Sequence, residues 1–85
     1  MHNNRHVYIS SRDVEIEIKS PYPGKILDVK SFASDFVKKG ETVFIVEACK
    51  MEAEIVAPVD GVIKHIYVQV GDSVINEDIL AVMTP

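Results

Sequence analysis

The chain predicts an all-β domain, a flattened barrel or sandwich of about eight short strands arranged as two pseudo-two-fold related halves. Three observations carry this expectation. Apolar residues recur with a period of two rather than 3.6, and turn-forming residues cut the chain into strand-length pieces. The sequence also aligns with itself at an offset of 37 (61 − 24). In that alignment Pro21 falls on Pro58, Gly24 on Gly61, Ile26 on Ile63, Val29 on Ile66, Asp35 on Asp72, Val37 on Val74, Glu41 on Asp78 and Val43 on Leu80. Neither half can close a core alone, so the two are expected to pack together.

Taken in order, Val14, Ile16 and Ile18 alternate with Glu15, Glu17 and Lys19, which predicts a strand with one buried and one solvated face. Pro21-Tyr22-Pro23-Gly24 breaks it. Residues 31–39 mix β-branched, aromatic and lysine residues without a helical stripe and read as loop and short strand. Residues 43–46 form an apolar run whose hairpin partner is 53–57, and residues 79–82 hold the equivalent place in the second half. Ile66, Val68 and Val70 alternate with Tyr67 and Gln69 and predict a further buried face. Gly40, Asp60-Gly61, Gly71-Asp72 and Asn76-Glu77-Asp78 mark the intervening turns, with Gly24, Gly61 and Gly71 read as positions of unusual φ.

The first half hands over to the second at Glu47-Ala48-Cys49-Lys50-Met51-Glu52. This geometry places Lys50 at a hairpin tip, with the chain ends at the opposite pole. Residues 1–12 are expected to be a partly flexible N-terminal segment and 13–85 the domain.

At 85 residues one core is the most the chain can bury, and 47% apolar content argues against disorder. A net charge of −4 excludes the basic face that nucleic acid requires. No apolar run approaches the roughly 20 residues of a membrane span. The N-terminus lacks the signal-peptide pattern, so a cytoplasmic location is expected. Cys49 is the only cysteine and His2, His6 and His65 share no ligand spacing, so no protein metal site is expected. Cys49 and His65 are the one nucleophile and base on offer, and tip and strand keep them apart. A non-catalytic chain is the expectation.

Glu47-Ala48-Cys49-Lys50-Met51, followed by Ile55-Val56-Ala57-Pro58, Gly61, Val70-Gly71-Asp72-Ser73-Val74 and Leu80, resembles the biotinyl (biotin carboxyl carrier) domain of the biotin/lipoyl attachment family. That family's signature is Ala-Met-Lys-Met at a hairpin turn, with the lysine about 35 residues from the C-terminus, and here 85 − 50 = 35. The resemblance spans residues 15–83, nearly the whole chain. Three departures stand out. Cys49 replaces the usual methionine, Ser34 stands where the first repeat often has glycine, and Asn76-Glu77 replaces a Gly-rich turn, where Asn76 tolerates positive φ.

The resemblance implies a carrier with biotin amide-linked to Lys50, shuttling carboxylate between a biotin carboxylase and a carboxyltransferase or decarboxylase. A biotin protein ligase would load it and read Glu47, Ala48, Cys49, Met51 and Glu52. A lipoyl-type carrier, or an unmodified interaction module of the same fold, is the alternative. Lipoyl domains typically carry Asp-Lys-Ala at the tip, whereas this chain has Cys49-Lys50-Met51.

Overall fold

Eight strands of two to seven residues make up the regular structure of residues 14–85, the part of the chain described by the structure, a computed structural model. In order they are β1 (Ile16–Lys19), β2 (Gly24–Val29), β3 (Phe36–Val37), β4 (Thr42–Ala48), β5 (Met51–Val56), β6 (Gly61–Ile66), β7 (Ser73–Val74) and β8 (Ile79–Thr84). They form two four-stranded antiparallel sheets, ordered β1-β8-β6-β3 and β5-β4-β2-β7. The all-β sandwich read from the period-two pattern is what the chain adopts. The expected flexible segment, residues 1–12, lies outside the described residues.

The 37-residue offset governs the pairing down to single hydrogen bonds. Ile16↔Met83 in one sheet corresponds to Ala53↔Val46 in the other, and Lys25↔Glu47 corresponds to Val62↔Thr84. The Ile26 N–H donates to Asp72 O and the Ile63 N–H donates to Asp35 O, both at 2.9 Å. The Asp35 and Asp72 carboxylates each accept from the backbone N–H three residues earlier, at 2.8 and 2.9 Å, tying two equivalent turns. Each half therefore supplies strands to both sheets, and β1 is the two-fold mate of β5.

Between the sheets lie Ile18, Ile26, Val37, Val43, Phe44, Val46, Ile55, Ile63, Val74, Leu80 and Met83, all buried. Period-two alternation accounts for most of them. Residues 43–44 and 80–83 are instead buried consecutively, because β4 and β8 are inner strands and carry bulges opposite their neighbours.

Four sequence expectations need correction. Val14 is 42% exposed and precedes β1, lying beyond the first pair of that strand with β8, Ile16↔Met83. Val70 is 61% exposed and Val68 only partly buried, since β6 stops at Ile66 and the chain then turns. Gly24 and Gly61 do not adopt positive φ; they are needed because another backbone passes too close for a side chain. The left-handed residue in the late turn is Glu77 (φ 73°), not Asn76.

Four left-handed positions outside the β4–β5 turn also obey the repeat, with glycine in one half and a substituted residue in the other. Ser34 (φ 78°) matches Gly71 (φ 97°), and Gly40 (φ 89°) matches Glu77. A left-handed serine is strained by its Cβ, and no hydrogen bond is formed by the Ser34 side chain among the described contacts. Ser34→Gly should therefore stabilise the domain by about 0.5–1 kcal/mol, after allowing for the unfolded-state entropy of glycine. Urea denaturation at constant slope is the check.

On the outer face of the first sheet, Lys64 donates to Glu15 in a solvent-exposed ion pair. The hydrogen bond from Lys64, and then its charge, hold the Glu15 carboxyl below its ordinary range, while Glu15 raises Lys64. A depressed carboxylate pKa means stability present above the unfolded-state value of about 4.3 and lost as pH falls through the folded value. The difference in urea midpoint between the chain and Glu15→Gln should hold near neutral pH and vanish in acid. The effect should be small, because solvent screens the pair.

Candidate functional site

The β4–β5 hairpin closes on the pair Ala48↔Met51, leaving Cys49 and Lys50 as a two-residue turn. Both have positive φ, 51° and 64°, the conformation of a type I′ turn. Such turns ordinarily use Asn-Gly, because two bulky left-handed residues in succession carry a steric cost. Here six register pairs, from Thr42↔Val56 to Ala48↔Met51, hold the turn in place. Intrinsic turn preference is overridden at the turn that presents Lys50.

Lys50 is exposed, and none of the ion pairs among the described residues involves it. The expected position at a hairpin tip is thus found. Beside it Cys49 is a free, exposed thiol. Glu47 and Glu52 are directly paired across the strands, with Lys25 opposite Glu47 on the other side. Like charges facing each other destabilise a sheet, so the acidic pair is kept at a cost that Lys25 partly offsets.

Ala48 and Met51 point to the opposite face from that pair, continuing the inward row of Val46, Ala53 and Ile55. At the tip this row runs past the end of the facing sheet, and Met51 is 70% exposed. The result is an open, mainly apolar pocket of about 250 Å³ lined by Tyr22, Ala48, Cys49, Met51, Glu52 and Ala53. All five residues expected to flank the lysine as recognition elements therefore surround it, Glu47 and Glu52 on one face and Ala48, Cys49 and Met51 near the other.

Tyr22 was not among the sequence-predicted site residues. It sits between Pro21 and Pro23, and the buried Ser20 anchors its backbone, the Ser20 hydroxyl donating to Tyr22 O at 2.6 Å. The signal lay in the repeat, where Tyr22 falls on Val59, an exchange of a partly buried aliphatic residue for a half-exposed aromatic one. His65 lies on β6 in the sheet that does not contain the tip, so it is not brought to Cys49. Among the described residues no three His, Cys, Asp or Glu side chains group to hold a metal.

Chemically, the tip offers one primary amine, uncrowded and unpaired, on a rigid two-residue turn. This suits acylation by another protein, since an amine held in an ion pair would have to be freed before it could attack.

The family model described as "Biotin-requiring enzyme", of the biotin/lipoyl type, matches residues 14–83. The gamma subunit of methylmalonyl-CoA decarboxylase from Veillonella parvula is 54% identical over 48 residues, which is 56% of this chain and 37% of that subunit. Mitochondrial pyruvate carboxylase from Mus musculus is 33% identical over 69 residues, 81% of this chain and 6% of that enzyme. Among solved structures, the lipoyl domain of the 2-oxoglutarate dehydrogenase complex from Azotobacter vinelandii superposes with a TM-score of 0.71 at 29% identity, covering 82% of this chain and 96% of that domain. The chain thus spans well under half the length of these two curated relatives.

Proposed function

The chain belongs to the biotin/lipoyl attachment family of biotin-requiring enzymes, and from that membership we propose that it is a biotin carboxyl carrier with Lys50 as its attachment point. The observation that carries the proposal is the exposed, unpaired Lys50 on a two-residue turn at the joint of a duplicated fold. Biotin is favoured over lipoate by Met51 after the lysine, and by relatives that are a carboxylase and a decarboxylase subunit.

The residues present fit the group. A biotin protein ligase would supply biotin with its carboxyl activated as a mixed anhydride. The Lys50 amine, having lost its proton, would attack the carboxyl carbon; the C–O bond to the activating group would break, and that group would leave as the amide forms. When bound, biotin supplies a ureido nitrogen that takes up and releases a carboxyl group. Lys50 contributes reach, the hairpin contributes a fixed origin for that reach, and the domain makes no bond in the carboxyl transfer. Partners follow from this role: the ligase, a biotin carboxylase, and a carboxyltransferase or decarboxylase subunit, in a cytoplasmic setting.

Intact mass of the full chain after co-expression with a biotin protein ligase, and separately with a lipoate ligase, tests the reading. A single biotinyl increment is expected with the first and none with the second; a lipoyl increment alone, or no increment at all, overturns it. The acidic pair Glu47 and Glu52 should also speed encounter with a ligase by charge complementarity. Glu52→Lys is expected to slow loading severalfold at low ionic strength, with the deficit shrinking as salt screens it. An unchanged rate at low salt would remove the acidic pair from ligase recognition.

A further inference from the structure

We propose, resting on the carrier reading, that the pocket walled by Tyr22 and Met51 is a resting site for the chain's own biotinyl group when no partner enzyme holds it. Four features of the tip lead there. The pocket is lined by both sequence neighbours of Lys50, so any group carried on that side chain is tethered at its mouth. Tethering of this kind sets a local concentration in the millimolar range, so even a weak site is filled for much of the time.

At the tip the two-fold symmetry is broken by specific residues. Ala53 stands where its mate is Ile16, which packs against the core, and this small side chain opens the hollow. Tyr22 stands where its mate is Val59, and it lines the pocket together with Met51. The hairpin turn itself has no counterpart within β1 and β8.

The lining is matched in chemistry to what would fill it. Tyr22, Ala48, Met51 and Ala53 offer apolar and thioether surface to a fused thioether ring and its alkyl chain, and Met is well suited to moulding around such a shape. Glu52 only borders the pocket, its side chain lying with Glu47 on the other face of the hairpin, so the lining meets the apolar parts of the group. Tyr22 is held by Ser20 and two prolines, so little ordering is needed when the pocket fills.

The test uses the full-length biotinylated chain, labelled for NMR, with tyrosine and methionine resonances assigned. Cross-relaxation between the biotin ring protons and both the Met51 methyl and the Tyr22 ring is expected, and it should be lost in Tyr22→Ala and kept in Tyr22→Phe. Stopped-flow capture by avidin gives a second readout: for a site half filled, Tyr22→Ala should raise the capture rate about twofold. Absence of cross-relaxation, or an equal capture rate in the two proteins, overturns the resting site while leaving the carrier reading intact. A Tyr22→Ala chain that is loaded more than about tenfold slower, with no biotin contacts in the parent, would instead assign the pocket to the ligase. Failure to gain the biotinyl mass at all overturns both readings together.

Discussion

Lys50→Arg should eliminate biotinylation to the detection limit while leaving the unfolding midpoint unchanged. Arginine keeps the charge, the length and the exposure of the side chain, but its guanidinium is not deprotonated in proteins and so cannot attack an acyl group. Lys50 is exposed and bonded to nothing among the described residues, so no packing is lost. Intact mass of chains co-expressed with a biotin protein ligase reads the first half of the expectation and thermal denaturation the second. The other lysines serve as internal controls. Lys25 lies opposite Glu47, and Lys64 donates to Glu15, yet neither sits on a turn. An adduct that persists in Lys50→Arg would move the attachment point elsewhere and defeat the assignment.

The second large effect is expected at Gly24. A Cβ there would fall inside contact distance of the Glu47 carbonyl oxygen and 2.9 Å from Val46 Cγ1. Since Val46 is fully buried and Glu47 leads into the tip, Gly24→Ala must push β2 and β4 apart just below the lysine. A cost of about 2–3 kcal/mol is expected, in the range of overpacked cores. For a domain of this size that lowers the midpoint by roughly 10–20 °C. Gly61→Ala is the matched comparison, because its Cβ would meet Thr84 and Pro85 at the opposite pole. Both variants should lose stability, but only Gly24→Ala should also slow loading of the folded protein, by displacing the hairpin. Equal loading of the two at a temperature where both are folded would show that the tip tolerates movement of β2.

The fold was largely legible because one pattern, the 37-residue repeat, carried both the strand order and the place where the halves join. Lys50 could be located from sequence for the same reason: it is the charged residue at the joint, on a turn flanked by paired strands. What escaped was the extent of burial. Alternation at Val14 and at Val68 and Val70 reports which way a strand side chain would point, but not where the strand ends, and all three lie outside β1 and β6 and are not fully buried. The position of the left-handed residue was misjudged at Asn76 because residue type was weighed above the repeat, which maps Gly40 onto Glu77. Tyr22 was missed because its contact with the tip is made between loops. No periodicity encodes such a contact; only the asymmetry of Tyr22 against Val59 marks it.

The exchange of mates between β1 and β5 has a consequence for how the domain is wired into anything larger. β5 continues from β4 through Cys49 and Lys50, whereas β1 enters and β8 leaves at the place where the equivalent bend would stand. Polypeptide attached on either side would thereby be anchored at the far pole from Lys50, and an arm carried on that lysine would swing clear of its own leash. A circular permutant in which Pro85 is spliced to Val14 through a second Cys-Lys bend, and cut in an exposed loop, would give a molecule with an arm at each pole.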